Sequence, residues 1–373
     1  MRLLITGSDG FIGKNLTTRV AEFEHLTFET FTRSDDATGL AEKVMSADVV
    51  VHLAGENRPS ADSMFMSANC GLTRDVCAAI AASGRRIPMI FTSSAQATEA
   101  NPYGESKRAA EEELAKYVLQ TGNPVAIYRL PGVFGKWCRP NYNSVVATFC
   151  HNIARGLQIQ IHEPAIEISL VYIDDVISSF LDWLFEPVAG LSSPEISPTY
   201  TVSLGALADH IHSFADSCQN LVTERVGIGF VRALYATYVS YLPTNKFSYP
   251  VPAYSDERGV FVEMLKTLDS GQFSYFTSHP GVTRGGHYHH SKTEKFLVIK
   301  GNARFEFRHI LTNEYFELTV AGENAEIVET IPGWTHDITN IGADELIVML
   351  WANEIFDRNT PDTVASQVRY GKA

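Results

Sequence analysis

Four residues in the last third of the chain have the types and spacing of a metal site. His287 and His289 lie two apart, Glu294 follows five residues on, and His336 comes later in the same β-rich region. Imidazole is costly to bury without partners, so a close group of imidazoles with a carboxylate calls for a shared ligand. Three imidazoles and one carboxylate suit Zn, Ni, Mn or Fe without choosing among them, and zinc is the ion expected. Alternation along a strand puts His287 and His289 on one face, and an adjacent strand can add His336. His290 is a rival donor to His289, and a solvated histidine-rich loop is the plain alternative.

The opposite end of the chain carries different chemistry. "ITGSDGFIG" places Gly7, Gly10 and Gly13 directly after a short apolar run. Glycines at that spacing allow a tight turn and let a pyrophosphate approach the backbone at a helix N-terminus. In "NPYGESK", Tyr103 and Lys107 are four apart and share one helix face. A phenol with a pKa of about 10 serves as an acid at neutral pH only when a nearby cation stabilises its anion, which Lys107 supplies. Ser93 and Ser94 end the run "FTSS", where a hydroxyl can hold a carbonyl oxygen; Ser94 is the member expected, Ser93 the alternative. Together they form a carbonyl-reducing site, with hydride from a nicotinamide and a proton from Tyr103. At the end of the second apolar run, Arg33 stands where NAD-binding sites usually carry an acid, and an arginine there can pair with a 2′-phosphate. NADPH is the expected cofactor.

The elements that position these groups fall into two regions. Up to about residue 185, "RLLIT", "LTFETF", "DVVVHLAG", "PMIFTSS" and "VAIYRL" alternate with helical stretches at 11–22, 62–83 and 104–121. Such alternation implies a doubly wound, Rossmann-type parallel sheet. Prolines at 243, 250 and 252 mark a boundary, giving domains 1–248 and 249–373. Beyond it, "GVFVEMLK", "QFSYFTS", "EKFLVIKG", "ARFEFRHI", "YFELTV", "AEIVETI" and "DELIVMLWAN" are punctuated by Gly and Pro, as in an all-β barrel or jelly roll.

The 373 residues, 45% apolar and 20% charged, describe a globular chain of two domains. A net charge of −13 argues against nucleic acid as a general partner. No apolar run approaches the roughly 18 residues of a membrane span. The N-terminus has no export signal, and five cysteines without CxxC spacing suit a reducing compartment, so a cytoplasmic location is expected.

"TGSDGFIG", "HLAG", Asn69, "SSAQ", "YGESK", "RLPGVFG" and "YIDDV", in this order, resemble an extended short-chain dehydrogenase/reductase of the nucleotide-sugar type. The resemblance implies a catalytic trio of Ser94, Tyr103 and Lys107, with Asn69 supporting the geometry. It also implies cofactor contacts from Gly7, Asp9, Gly10, Phe11, Ile12, Gly13, Leu53, Ala54 and Gly55, and places Pro131 to Val133 near the nicotinamide. Lys136 and Arg139 then grip the nucleotide diphosphate. The short stretch before "DVVVHLAG" leaves little room for the family's usual third strand.

The pattern G281-x5-H287-x-H289-x4-E294-x6-G301, with His336 and Asn340 in "GWTHDITN", resembles the two motifs of the cupin family. "SDERGVFVE" and "GVTRGGHYHH" are also similar to the nucleotide-sugar 4-keto 3,5-epimerases. That likeness implies Arg258 and Arg284 on the phosphates, His287 as base or metal ligand, and Lys295 as an acid–base group or enolate partner. A solvated strand lysine is the alternative for Lys295.

Over nearly its whole length, the chain is similar to the bifunctional capsule and O-antigen enzymes of the CapF/WbjC type, which work on the UDP-linked route to N-acetyl-L-fucosamine. The likeness implies C3 epimerisation and C4 reduction of a UDP-linked 4-keto-6-deoxy-HexNAc, and a homodimer or homotetramer. The chemistry fixes the order, because the 4-ketone acidifies the C3 proton and its reduction abolishes that acidity. Competing readings are a non-catalytic sugar-binding or dimerising cupin, an NADP-sensing regulator, and an iron-dependent cupin dioxygenase.

Overall fold

The computed structural model describes residues 1–359 and 361–369. They form two compact units: Met1–Ile211 with Arg232–Pro243, and His212–Val231 with the chain from Thr244 onward.

The first unit begins β1 (Arg2–Thr6), α1 (Phe11–Val20), β2 (Thr27–Phe31), α2 (Ala37–Ser46) and β3 (Val49–His52). It continues with one turn, α3 (Ser63–Phe65), a π-helical turn at Met66–Gly71, then α4 (Leu72–Ala82), β4 (Met89–Ser94), α5 (Pro102–Thr121) and β5 (Val125–Leu130). The strands pair in parallel in the order β2-β1-β3-β4-β5, with Leu191–Ser192 outermost. Alternate residues of a single strand enter different cores, as a sheet with helices on both faces demands. Leu3 and Ile5 pack with Leu16, Val20 and Phe180, whereas Leu4 packs with Leu40, Val44, Val76 and Leu114. A single strand, β2, flanks β1 on its outer side, as the short spacing before "DVVVHLAG" implied.

The second unit consists of two mainly antiparallel sheets. One runs Gly259–Thr267, Gly271–Ser278, Leu346–Ala352, Glu294–Lys300, Ile327–Glu329; the other runs Tyr315–Ala321, Asn302–His309, Trp334–Asn340, Thr283–Tyr288, Val364–Ala365. Phe276, Phe296, Val298 and Val348 from the first meet Phe305, Phe307, Val320 and Ile338 from the second in one apolar core. This is the β-rich, jelly-roll arrangement expected. The strands at 283–288 and 334–340, which hold His287 and His336, are not among the apolar runs, because their inward positions are partly polar.

In the 283–288 strand the pairing is irregular. Arg284 lies opposite Ile338 and Gly285 opposite Asp337, yet His287 lies opposite His336, so Gly286 is passed over. This β-bulge rests on φ of +113° at Gly285 and +75° at Gly286, conformations that favour glycine. Arg284 and His287, three apart, therefore both face the interior side of their strand.

Candidate functional site

In the first unit the glycine turn is built by close backbone approach. A Cβ on Gly7, whose φ is +73°, would lie 2.7 Å from Ala54 N, and one on Gly13 would lie 2.3 Å from Gly7 O. These contacts set Leu53 and Ala54 against the turn at Gly7 and seat the start of α1 on Gly7 and Ser8. Gly10 precedes α1 without a side-chain cap, so the helix opens with its first amides unclaimed by a capping side chain. Arg33, just past β2, has a side chain 92% exposed and reaches Glu56 Oε2 at 3.0 Å.

Asn101 caps α5 by accepting the Gly104 N–H at 2.8 Å, which sets Tyr103 in the first helical turn, where it packs on Phe65. Burial pushes the Tyr103 phenol above its ordinary value, and its hydrogen bond with Ser94 acts in the opposite direction. Ser93 turns away and donates to Glu111, so the serine beside Tyr103 is Ser94. Lys107 is buried and donates to Thr92 O at 2.9 Å. Burial lowers its ammonium to about 8, against the opposing field of Glu111. Asn69, in the π-helical turn, accepts from Glu56 N at 2.8 Å and donates to Ser106 Oγ at 2.9 Å. Gly55 sits close to both: a Cβ there would be 2.8 Å from Asn69 Oδ1 and 3.3 Å from Lys107 Nζ. Pro131 follows β5, and Val133 packs against the core that contains β1 and α1.

Gly104 meets the 95–98 turn so closely that a Cβ would lie 2.1 Å from Gln96 O. Gly104→Ala is therefore expected to shift the first turn of α5 with Tyr103 on it. The expected result in steady-state kinetics is a fall in kcat of about a hundredfold, the scale of an ångström-size misplacement.

His52, which the sequence did not single out, lies fully buried beneath this site. Thr73 Oγ1 donates to Asn69 O at 2.7 Å, so its lone pair accepts from His52 Nε2 at 3.0 Å. His52 Nδ1 accepts from Thr6 Oγ1 at 2.7 Å, and Thr6 Oγ1 in turn accepts the Ala54 N–H at 3.1 Å. The chain of bonds ties the cofactor loop to the Asn69 turn and requires a neutral ring. Burial, with Lys107 adding to it, lowers the His52 imidazolium to about 3. The unfolded chain binds the proton between pH 6.5 and 3 and the folded chain does not, so stability is lost as pH falls through that window. The expected slope is about 1.4 kcal/mol per pH unit from this group. Urea denaturation at about pH 5.5 and 4.5, where the unfolded imidazole is almost fully protonated, checks it: His52→Gln should show a slope shallower by nearly one proton.

In the second unit, donor atoms of His287, His289, Glu294 and His336 all lie within 4.8 Å of one another, and three of the four residues are buried. His289 Nε2 is 3.3 Å, and His336 Nε2 3.5 Å, from Glu294 Oε2. The rings of His287 and His336 cross at 4.6 Å between centroids. Burial works to raise the Glu294 carboxyl, but the facing imidazoles of His289 and His336 and the charge of Lys292 hold it far below the carboxylate range. Burial, then the neighbouring histidines, lowers His287 to about 4. His289 Nδ1 faces the carbonyl of Asp362, which only accepts, so this nitrogen carries the hydrogen and Nε2 turns to the cluster. His336 Nδ1 is buried without a partner. Convergent imidazole nitrogens against a carboxylate oxygen fit a small divalent cation.

His290 is exposed, with its backbone N–H on Asp362 and its ring edge-on to Tyr288, so His289 is the histidine brought into the cluster. Lys295 is corrected. It follows Glu294 in the strand and so points to the opposite face, where it is 47% exposed and pairs with Glu329. The lysine that does reach the cluster is buried Lys292, whose Nζ lies 3.1 Å from Glu294 Oε1.

Arg258 and Arg284 line one cavity of about 1030 Å³ together with Asp256, Phe261, Glu263 and Lys266. Asp256 is clamped by Arg258, which lowers its carboxyl to about 2. Arg284 stacks over Phe276 at 5.1 Å, and its Nε and Nη2 are buried without partners. Burial, and the charge of Arg258, lower its guanidinium. In the first unit, Lys136 pairs with Asp174 at 2.7 Å. Arg139 stacks over Tyr142 at 4.8 Å and lines a cavity of about 790 Å³ with Lys14 and Trp137.

A nucleotide-binding parallel sheet with a Tyr–Lys–Ser site defines a nicotinamide-dependent oxidoreductase. The chain belongs to the NAD dependent epimerase/dehydratase family, whose profile matches residues 3–196, and carries a polysaccharide biosynthesis C-terminal domain over residues 254–364. It is 56% identical over 371 residues, 100% of both chains, to a Pseudomonas aeruginosa protein named UDP-2-acetamido-2,6-beta-L-arabino-hexul-4-ose reductase. The capsular polysaccharide assembling protein CapF from Staphylococcus aureus matches with a TM-score of 0.90 and 39% identity, covering 99% of this chain and 100% of that one. Thermus thermophilus UDP-glucose 4-epimerase shares the fold alone, with a TM-score of 0.54 and 18% identity over 65% of this chain and 99% of that one. No helix among the described residues is long and apolar enough to cross a membrane.

Proposed function

We propose that this chain is a bifunctional nucleotide-sugar enzyme. Its β-rich unit inverts C3 of UDP-2-acetamido-2,6-dideoxy-4-hexulose, and its first unit reduces the C4 ketone with NADPH. The product is UDP-2-acetamido-2,6-dideoxy-L-talose, on the route to UDP-N-acetyl-L-fucosamine. The observation that carries the reading is end-to-end identity of 56% with a relative named as a UDP-2-acetamido-2,6-beta-L-arabino-hexul-4-ose reductase.

In the first unit Ser94 holds the ketone oxygen, and Tyr103 delivers a proton to it as the carbonyl becomes an alcohol. The nicotinamide, when bound, supplies the hydride. Lys107 supplies positive charge toward the phenol and the ribose, while Asn69 braces the loop opposite. Arg33, exposed just past β2, suits a 2′-phosphate and supports NADPH over NADH.

In the second unit Arg258 and Arg284 grip the diphosphate; the unpartnered, buried Nε and Nη2 of Arg284 support this. A divalent cation at His287, His289, Glu294 and His336 would supply Lewis acidity or rigidity. His287 is counted as a ligand, since its donor atom converges with the other three and one imidazole does not serve as ligand and base together.

The test is incubation with the UDP-linked 4-keto sugar in deuterated water, read by NMR. Without NADPH, deuterium is expected at C3; with NADPH, the C4 alcohol is expected to follow. Reduction without C3 exchange would leave the β-rich unit a binding or dimerising module.

A further inference from the structure

The C-terminal segment is bonded to every strand end that bears a histidine of the cluster. Val364 and Ala365 pair antiparallel with Tyr288 and His287. Ser366 donates its N–H to Gly286 O at 2.8 Å, and Thr335, next to His336, donates its hydroxyl to Ser366 O at 2.6 Å. Arg308, buried, donates to the carbonyls of Gln367 and Val368. At the head of this strap stands Asp362.

Asp362 does two things to the loop between His289 and Glu294. Its Oδ1 accepts the His290 N–H at 2.8 Å; its Oδ2 accepts the N–H groups of Ser291 at 2.7 Å and Lys292 at 2.8 Å, and the Ser291 hydroxyl at 2.9 Å. One carboxylate thus fixes three consecutive peptide units. Its own main-chain carbonyl takes the Nδ1 hydrogen of His289, which settles the tautomer and turns Nε2 inward. The same loop sets Lys292, whose Nζ holds Glu294 Oε1 and leaves Oε2 for the histidines.

We propose that Asp362 is a positioning residue of the metal site, freezing the ligand loop and the tautomer of His289. The strap is then part of the site, although Asp362 lies about seventy residues along the chain from the loop that it fixes. This rests on the reading of the histidine cluster as a metal site. Hydrogen-bond partners behind ligating histidines typically contribute about ten- to a hundredfold in metal affinity.

The experiment uses the full-length chain stripped of metal and titrated with Co²⁺ alone, followed by visible absorption and by competition with a chelator. Asp362→Ala is expected to weaken Co²⁺ binding about ten- to a hundredfold and to change the cobalt spectrum. The Tm of the metal-free form should fall with the loss of four hydrogen bonds, and beyond that fall the rise in Tm on adding Co²⁺ should shrink. Asp362→Asn keeps the shape but turns an amide donor toward backbone donors, so an intermediate loss is expected, and it decides the matter if the alanine variant fails to fold. Binding by both variants within twofold of the parent, with the parent spectrum, overturns the role of Asp362. A parent chain that binds no Co²⁺ overturns the metal reading itself.

Discussion

Tyr103→Phe is expected to cut NADPH-dependent reduction of the 4-keto sugar by roughly a hundred- to ten-thousandfold, the usual contribution of a placed general acid. The ring and its packing on Phe65 remain, so cofactor binding and melting temperature should stay near the parent values. The loss should therefore fall on kcat and not on KM for NADPH. Deuterium exchange at C3 does not use this phenol and should persist. Stopped assays with NADPH oxidation on one side and NMR of the sugar on the other separate the two. A Phe variant that reduces at the parent rate would remove Tyr103 from the mechanism.

The second large effect is expected at His336. Its ring lies opposite His287 in the strand ladder and is almost completely buried, with Nε2 3.5 Å from Glu294 Oε2. His336→Ala deletes one of the four proposed metal ligands and leaves Glu294 facing one fewer imidazole. Metal content is expected to drop from about one ion per chain to near zero, and C3 exchange to fall below detection. Reduction of ketone already inverted at C3 should continue, since Tyr103, Lys107 and Ser94 lie in the other unit. Elemental analysis with the exchange assay checks both halves; retained exchange in a metal-free variant would show that the cluster serves structure alone.

Sheet and turn were legible where composition follows burial. Strands β1 and β3 carry unbroken apolar runs, Leu3 to Ile5 and Val49 to Val51, because both faces of the sheet are covered, and Gly7 and Gly13 of the first turn sit where a Cβ has no room. The histidine strands were harder to read, since an inward-facing imidazole looks polar in a pattern that equates inward with apolar. Lys292 carries no signal of its own in the sequence, and Lys295 faces outward because the strand begins at Glu294 and one step along it changes the face. His52 and Asp362 had no signature at all. A buried histidine between two threonines is visible only after the strands have aligned them, and Asp362 meets its loop only when the sandwich closes.

The double glycine before His287 has a consequence for comparing sequences. Because the ladder skips Gly286, an odd number of steps separates two side chains that share a wall. Replacing these glycines with residues that cannot hold a positive φ, so that the ladder runs straight through, would preserve every reactive letter of the motif and still send the guanidinium of Arg284 to the outer surface. A chain of this design is thus better judged by whether that three-step interval keeps the glycines that carry its bulge than by the presence of its Arg and His, and an interval that has lost them marks a protein that has kept the vocabulary and lost the grammar of the proposed anion grip.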